Sequence, residues 1–450
     1  MRVSSKYVLL NLAFSIIFQA GGAFVSAQDF GGLKVSPQNA QEITRLLTQL
    51  RTASEDELRN GQTTTDGDGR RLFAGESAVR MKRLHDETLK RIDQMIARPE
   101  GERRAAVAAI ADFTADPAIA LSLRADGQDA VEYIRTARSS YNRAQMVEIY
   151  RAGAAQVEVN PLNNHLVQFG PRPLSEDNLK RSDFNFTPRY GQAELSVLAR
   201  KILKRRAAGL DVDALQARES NKEGLVYFFR WEDMSKEVEG IHPFVQVGIT
   251  RAGELVSYTN TLGLPDSPAP ATVSLENRKG EARFLKAAHG TKLSVLSLMQ
   301  SATGVWIFAN NGGYYSEYGP SAYWWTTNNE GYCSTRIASW CNPKYMKYTY
   351  ESSSVSNYAT WWHPGYDGGW GTHKVFIPRV NATTRQSSYF ISYSGGSSYS
   401  FSIDQLSYSD VWITTNTLYA IGSTTLYDTP WGWGTPAGKK VGFDEIQIVY

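Results

Sequence analysis

The chain has 450 residues, too many for one ordinary core at roughly 100 to 200 residues per domain, and its 48 basic and 45 acidic residues leave a net charge of +3. Basic and acidic side chains are interspersed with no long basic block, which excludes the electrostatic footprint of a nucleic-acid binder. Ten of the eleven Trp and seventeen of the twenty-four Tyr lie after residue 304, against only seventeen of the ninety-three charged residues, so two chemically different regions share the chain.

The N-terminus predicts export. Arg2 and Lys6 precede an apolar run from Tyr7 to Phe18, and Val25-Ser26-Ala27 forms an A-x-A-like cleavage site, so residues 1–27 are expected to be a signal peptide and the protein secreted, periplasmic or extracellular. No later stretch approaches the roughly 20 apolar residues of a membrane span. In an oxidising compartment Cys333 and Cys341 can close a short local disulfide loop. The alternative, two reactive or metal-bound thiols, lacks a Cys or His nearby at zinc spacing.

Residues 28–175 are expected to be a helical region. Ser36-Pro37 reads as an N-cap followed by Pro at the first helical position, and Ile43, Leu46, Leu47 and Leu50 repeat at i, i+3, i+4, i+7. The loop 61–69 contains Asp66 and Asp68 but lacks the further ligands of a calcium loop. Helical patterns follow over 75–98, 102–113 and 128–152, the last with Val131, Ile134, Tyr141, Met146 and Tyr150 on one face, and together they predict a small bundle.

Residues 183–263 read as a separate α+β unit: a helix over 192–206, then strands in Leu225 to Trp231, Phe244 to Ile249 and Leu255 to Tyr258, with a turn at 251–254. This order, with FFRWED, PFVQVGITRAGELVSYTNTL and Asp211-x-Asp213 after the helix, resembles the PepSY-type modules of secreted metalloprotease propeptides. The resemblance implies a regulator or inhibitor of a secreted peptidase. None of the six His residues begins the H-E-x-x-H motif that such a peptidase would carry. Residues 264–303 open with LPDSPAPA and are expected to be a linker.

From 304 to 450 strand signals recur about every ten residues, as in an antiparallel β-sandwich of jelly-roll type. Thr372 to Ile377 alternates His373, Val375 and Ile377 against Thr372, Lys374 and Phe376, and Tyr389, Ile391 and Tyr393 alternate with Phe390 and Ser392 before a turn at 394–397. The last strand is expected over 442–449. The order ATWWHPGYDGGWGTHKVFIPRVNATT, SSYFISYSGG, IDQ, DVWITTN and KVGFDEIQIV resembles the golvesin-type, or xanthan-lyase carbohydrate-binding-like, C-terminal domain. Matching positions are Trp362, Pro364, Asn381-Ala382-Thr383-Thr384, Gln405, Trp412 and Asp444, while His373 stands where that family has Tyr. The resemblance implies a non-catalytic domain that binds polysaccharide or envelope glycan.

Sugar rings present apolar CH faces to aromatic planes and hydroxyls to polar partners. The candidate platform is Tyr323, Trp324, Trp325, Trp431 and Trp433, which sit in loop-like stretches flanked by Gly or Pro. Phe376, Tyr389, Phe401 and Trp412, on strands, are expected in the core, and His363 and His373 as structural histidines. Asp404 and Asp444 read as hydrogen-bonding carboxylates rather than a catalytic pair. With no nucleophile elbow, P-loop or dinucleotide fingerprint, the sequence predicts no enzyme, cofactor or metal.

Overall fold

The computed structural model describes residues 28–449 apart from 31–32, 66–70, 143–144, 176–181, 208, 237–241, 265–304, 309, 311–314, 329, 333–344, 364–369, 394–397, 420 and 434. The expected signal peptide, all but the first residue of the 264–303 linker, Asp66, Asp68, Pro364, Cys333 and Cys341 lie outside the described residues.

Among the described residues four α-helices form along apolar stripes. The Ser36 hydroxyl accepts the Asn39 N–H at 3.1 Å and caps helix Pro37–Asn60, whose Ile43 and Leu46 pack on Ile92 and Ile96 of helix Gly75–Ile96. Just beyond that second helix, Arg98 donates to both Glu148 oxygens at 2.8 and 2.6 Å and to the Pro161 carbonyl at 2.7 Å, tying the helical pair to the sheet below. Helices Glu100–Thr114 and Gln192–Arg206 lie on one face of that sheet, burying Ala106, Ile110, Phe113, Leu195, Ala199 and Ile202 against Phe169, Val247 and Tyr258.

The sheet is antiparallel and eight-stranded, in the order Gln216–Lys222, Val226–Glu232, Phe244–Thr250, Leu255–Asn260, His165–Pro171, Ala155–Asn160, Met146–Ala152, Val131–Arg138. It corrects the expectation of a helical region over 28–175. The described α-helices there end at Thr114, and among the described residues of 128–152 only the single turn Gln128–Ala130 is helical. Met146 to Tyr150 is buried at every position, so the run carries neither the alternation of a half-exposed strand nor the polar face of a surface helix. The strands of 183–263 do not close a sheet of their own: Tyr258 pairs with Phe169 and Thr259 with Gln168, continuing the ladder into 131–171.

The other face of this sheet meets a C-terminal β-sandwich. A four-stranded sheet comes first, in the order Val305–Phe308, Ile446–Val449, Trp370–Ile377, Val411–Tyr419. Behind it lies a six-stranded sheet, in the order Tyr315–Tyr318, Tyr358–Trp362, Ile421–Tyr427, Ser387–Tyr393, Ser398–Ile403, Leu174–Ser175. Phe376, Tyr389, Phe401 and Trp412 are all buried in this core, as their strand positions predict. A three-stranded sheet of Trp325–Asn328, Tyr345–Tyr350 and Lys440–Phe443 completes the region. The strand expected over 442–449 is therefore two, broken at Asp444-Glu445, with Lys440–Phe443 and Ile446–Val449 in different sheets.

The joint between the eight-stranded sheet and the sandwich is polar and buried. Strand Val411–Tyr419 is an edge strand, and its unpaired carbonyls are met by side chains from the facing sheet. Gln156 donates to the Thr414 carbonyl at 2.9 Å, Gln168 to Trp412 at 3.1 Å, Arg135 to Thr415 at 2.8 Å, and Gln246 to Ser409, just before the strand, at 2.9 Å. Two buried lysines reach across the same joint: Lys374 donates to the Arg138 carbonyl and, at 2.8 Å, to the Ser140 hydroxyl, and Lys222 to the Ala382 and Gln405 carbonyls at 3.0 and 2.7 Å. Gly170 lets Tyr408 lie against the backbone, since a Cβ there would stand 2.5 Å from its hydroxyl, which bonds the Pro171 carbonyl at 2.6 Å.

Gln168→Leu keeps most of the buried volume but strands the Trp412 carbonyl. It is expected to lower stability by about 1 to 3 kcal/mol, read as a lower urea midpoint with an unchanged slope. A midpoint equal to wild type would mean that this bond contributes nothing to the joint.

Candidate functional site

The five platform residues divide. Tyr323 ends the single turn Ser321–Tyr323 and is 54% exposed. Trp324 is half-buried, its ring edge-on to Phe443 at 4.9 Å and its indole N–H directed to the Tyr318 carbonyl at 3.3 Å, which makes it a packing residue. Trp325 opens its strand, stacked with Tyr348 at 5.7 Å and edge-on to Tyr350 at 5.1 Å. Trp431 begins a turn around Gly432, whose φ of +68° a Cβ-bearing residue rarely adopts, and the Trp431 N–H bonds the Gln386 carbonyl at 2.9 Å. The Trp433 side chain lies outside the described residues. The groove that Trp431 lines includes none of Tyr323, Trp324 and Trp325, so the platform is two surfaces rather than one.

That groove, about 550 Å³ in volume, lies over the outer face of the six-stranded sheet, with Phe390, Tyr427 and Trp431 beside Ser388, Ser400 and Thr429. Its floor follows from register. Tyr318, Tyr358, Tyr427 and Ser388 oppose one another across four strands, and Ser316, Thr360, Thr425, Phe390 and Ser400 form the next row on the same face. Tyr318 stacks on Tyr358 at 4.6 Å, and Tyr358 meets Tyr427 at 5.6 Å. The result is an aromatic row on a hydroxyl-rich face. Alternation in the sequence separates Phe390 from Tyr389, but both faces carry aromatics and hydroxyls, so it does not say which face is outside.

Most residues that carry the golvesin-type resemblance are structural. Asn381, at φ +52°, accepts Lys440 Nζ on Oδ1 at 2.9 Å and donates from Nδ2 to the Thr327 hydroxyl at 2.7 Å. The Thr383 and Thr384 N–H groups both bond the Lys440 carbonyl, and the Gln405 amide bridges the Gly442 N–H and carbonyl at 3.0 Å each. Trp412 is buried, and Asp444 accepts the Tyr332 N–H at 2.9 Å. Burial, with Glu445 adjacent, pushes the Asp444 carboxyl well above the carboxylate range, and burial raises Glu445 to about 8. Asp404 is held by Arg385 Nε at 2.7 Å. Among the described residues no three of His, Cys, Asp and Glu are grouped to hold a metal ion.

His373 occupies the centre of the sandwich. Its Nδ1 bonds the Thr415 hydroxyl at 2.7 Å on its own sheet, and its Nε2 bonds the Thr424 hydroxyl at 2.9 Å on the opposite one, where His363 Nε2 also meets Thr424 at 3.0 Å. Burial lowers both histidines, His373 to about 3, so both are neutral at ordinary pH. This is the structural role expected of them.

No family model and no curated protein matches the chain. Among solved structures, a Paenibacillus xanthan lyase aligns with TM-score 0.25 and 8% identity over 71% of this chain and 35% of its own. The family 32 CBM from C. perfringens NanJ, solved with galactose, aligns with TM-score 0.17 and 11% identity over 32% of this chain and 99% of its own. An exo-β-1,3-galactanase from Phanerochaete chrysosporium, solved with β-1,3-galactotriose, aligns with TM-score 0.20 and 9% identity over 71% of this chain and 68% of its own.

A histidine whose folded pKa lies below its ordinary value contributes stability that is intact above the ordinary value and lost as pH falls toward the folded one. For His373 that window runs from 6.5 down to about 3. The stability advantage of wild type over His373→Gln is expected to shrink by about 1.4 kcal/mol per pH unit as urea unfolding is repeated below pH 6.5. An advantage that stays constant between pH 6.5 and 4.5 would show that His373 is not a buried neutral imidazole.

Proposed function

We propose that the protein is an exported, non-catalytic glycan-binding protein, and that a polysaccharide segment lies in the groove over the six-stranded sheet. The observation that carries this is the combination in one open groove of Phe390, Tyr427 and Trp431 with the hydroxyls of Ser388, Ser400 and Thr429. Aromatic planes suit the CH faces of sugar rings, and a hydroxyl-lined floor exchanges hydrogen bonds with sugar hydroxyls at little net cost. The tyrosine row Tyr318–Tyr358–Tyr427 offers a track for further sugar units. Export rests on the basic and apolar pattern of residues 1–27. The non-catalytic reading rests on the missing catalytic motifs and on Asp404 and Asp444, both buried and both engaged in structural bonds.

A second reading makes residues 183–263 a peptidase regulator of PepSY type. One observation favours it: strand Gln216–Lys222 ends the eight-stranded sheet, with no strand beyond it among the described residues, so its edge is open to an extended peptide. Slower cleavage of a test substrate by a secreted metalloprotease in the presence of the full chain would support that role.

Retention of the full chain on a panel of insoluble and gel-embedded polysaccharides, peptidoglycan included, tests the glycan reading. Trp431→Ala and Tyr427→Ala are each expected to weaken retention about 3- to 10-fold, while Tyr323→Ala, outside the groove, leaves it unchanged. Retention that survives both groove substitutions, or no retention on any polymer, would contradict the assignment. New reducing ends released from a retained polymer would contradict the non-catalytic part.

A further inference from the structure

The three-stranded sheet carries an aromatic cluster that the groove does not use. Trp325 pairs with Tyr348, and Tyr350 with Lys440, so all four side chains share one face. Besides the two contacts of Trp325, Tyr348 lies edge-on to Tyr350 at 6.2 Å, and Tyr350 is 43% exposed. The Lys440 ammonium stands 5.2 Å from the Tyr348 ring centre and 6.0 Å from that of Tyr350.

The electrostatics of Lys440 set this face apart. Its hydrogen bond goes to a neutral acceptor, the Asn381 amide oxygen at 2.9 Å. The carboxylates of neighbouring segments are engaged by other groups. Glu223 takes Lys439 at 2.7 Å and the Thr383 hydroxyl at 2.9 Å, Glu317 takes Lys347 at 3.4 Å, and Glu351 takes the Thr384 hydroxyl and, at 2.6 Å, the Ala437 N–H. An ammonium has three donors. Lys440 therefore offers donors and a positive charge beside an exposed aromatic plane, a pairing that complements a ring bearing an anionic group. Asn381, fixed in the left-handed region and anchored to Thr327, holds the ammonium in place.

We propose that this face binds a uronate unit of an acidic polysaccharide, the sugar ring lying on Tyr350 and its carboxylate meeting Lys440. This rests on the glycan-binding reading and adds a second, charge-selective surface to the neutral groove. Glu223 lies near enough to feel the Lys440 charge but is hydrogen-bonded to Lys439 and Thr383, so the Lys440 ammonium keeps donors for one carboxylate per contact, and attraction at a partly exposed site of this kind weakens with added salt.

Affinity electrophoresis of the full chain through gels containing polygalacturonate, or the same polymer fully methyl-esterified, tests the inference. Wild type is expected to be held back more by the acid than by the ester, with the difference vanishing as salt is raised. Lys440→Gln, which keeps a donor for Asn381, is expected to lose about 5- to 10-fold in apparent affinity for the acid and nothing for the ester, and Lys440→Arg to restore acid binding. Equal retardation by acid and ester, or acid binding that Lys440→Gln leaves intact, would overturn the proposal. If the acid fails to retard the chain while a neutral polysaccharide still retains it in a Trp431-dependent way, the uronate surface alone is refuted. If no polysaccharide holds the chain at all, the glycan reading falls with it.

Discussion

The carbonyl edge of strand Val411–Tyr419 is the constraint on which the rest of the structure depends. Among the described residues no strand lies beyond it, yet it is buried between two sheets, and a buried carbonyl without a donor costs about 1 to 3 kcal/mol. Gln156, Gln168 and Arg135 supply donors to it, and Gln246 to the carbonyl just before it, all from the eight-stranded sheet. A neighbouring strand would pair any sequence, whereas side-chain donors fit only where amide and guanidinium groups fall at the right register. The contact is therefore specific as well as stabilising, and it fixes the sandwich on the sheet in one position.

The same joint explains what is left for function. Residues 371–377 and 446–449 of the four-stranded sheet are buried on both faces, with Lys374 reaching one way to Arg138 and Ser140 and His373 the other way to Thr424. Lys222, Gln405 and Asn381–Thr384 lock the flank to the three-stranded sheet and to the strands beyond. Exposed aromatic surface then falls on the outer face of the six-stranded sheet and on the three-stranded sheet. In both places Tyr and Trp lie beside hydroxyls or an ammonium, which is what the proposed glycan binding draws on.

Local chemistry made part of this legible. Ser36-Pro37, the apolar stripes of the helices and the alternation from Thr372 to Ile377 and from Ser387 to Ile403 are short-range signals, and the corresponding elements form. The sheet strands between Val131 and Pro171 were not legible because Met146 to Tyr150 is buried on both faces and so loses the alternation that marks a strand, even though its partners Val131–Arg138 and Ala155–Asn160 are its neighbours in sequence. The break at Asp444-Glu445 was hidden because both carboxyls are buried, whereas a charged pair in sequence ordinarily marks a solvated position. At the site, Trp431 was identifiable from its Gly-flanked turn. Tyr427 and Phe390 were not, since their exposure depends on which side of the six-stranded sheet meets the core. Trp324 shows the reverse case: a loop position turned into a packing contact by Phe443, which arrives from more than a hundred residues away.

Hydrogen exchange of the full chain tests the central claim, that the eight-stranded sheet and the sandwich form one cooperative unit. Amides of Val226–Glu232 and Phe244–Thr250 are predicted to open with the same free energy as those of Val411–Tyr419 and Ile446–Val449, in a single global step. Opening of the sandwich strands at a lower free energy, with the eight-stranded sheet still protected, would show two independent units and contradict the account.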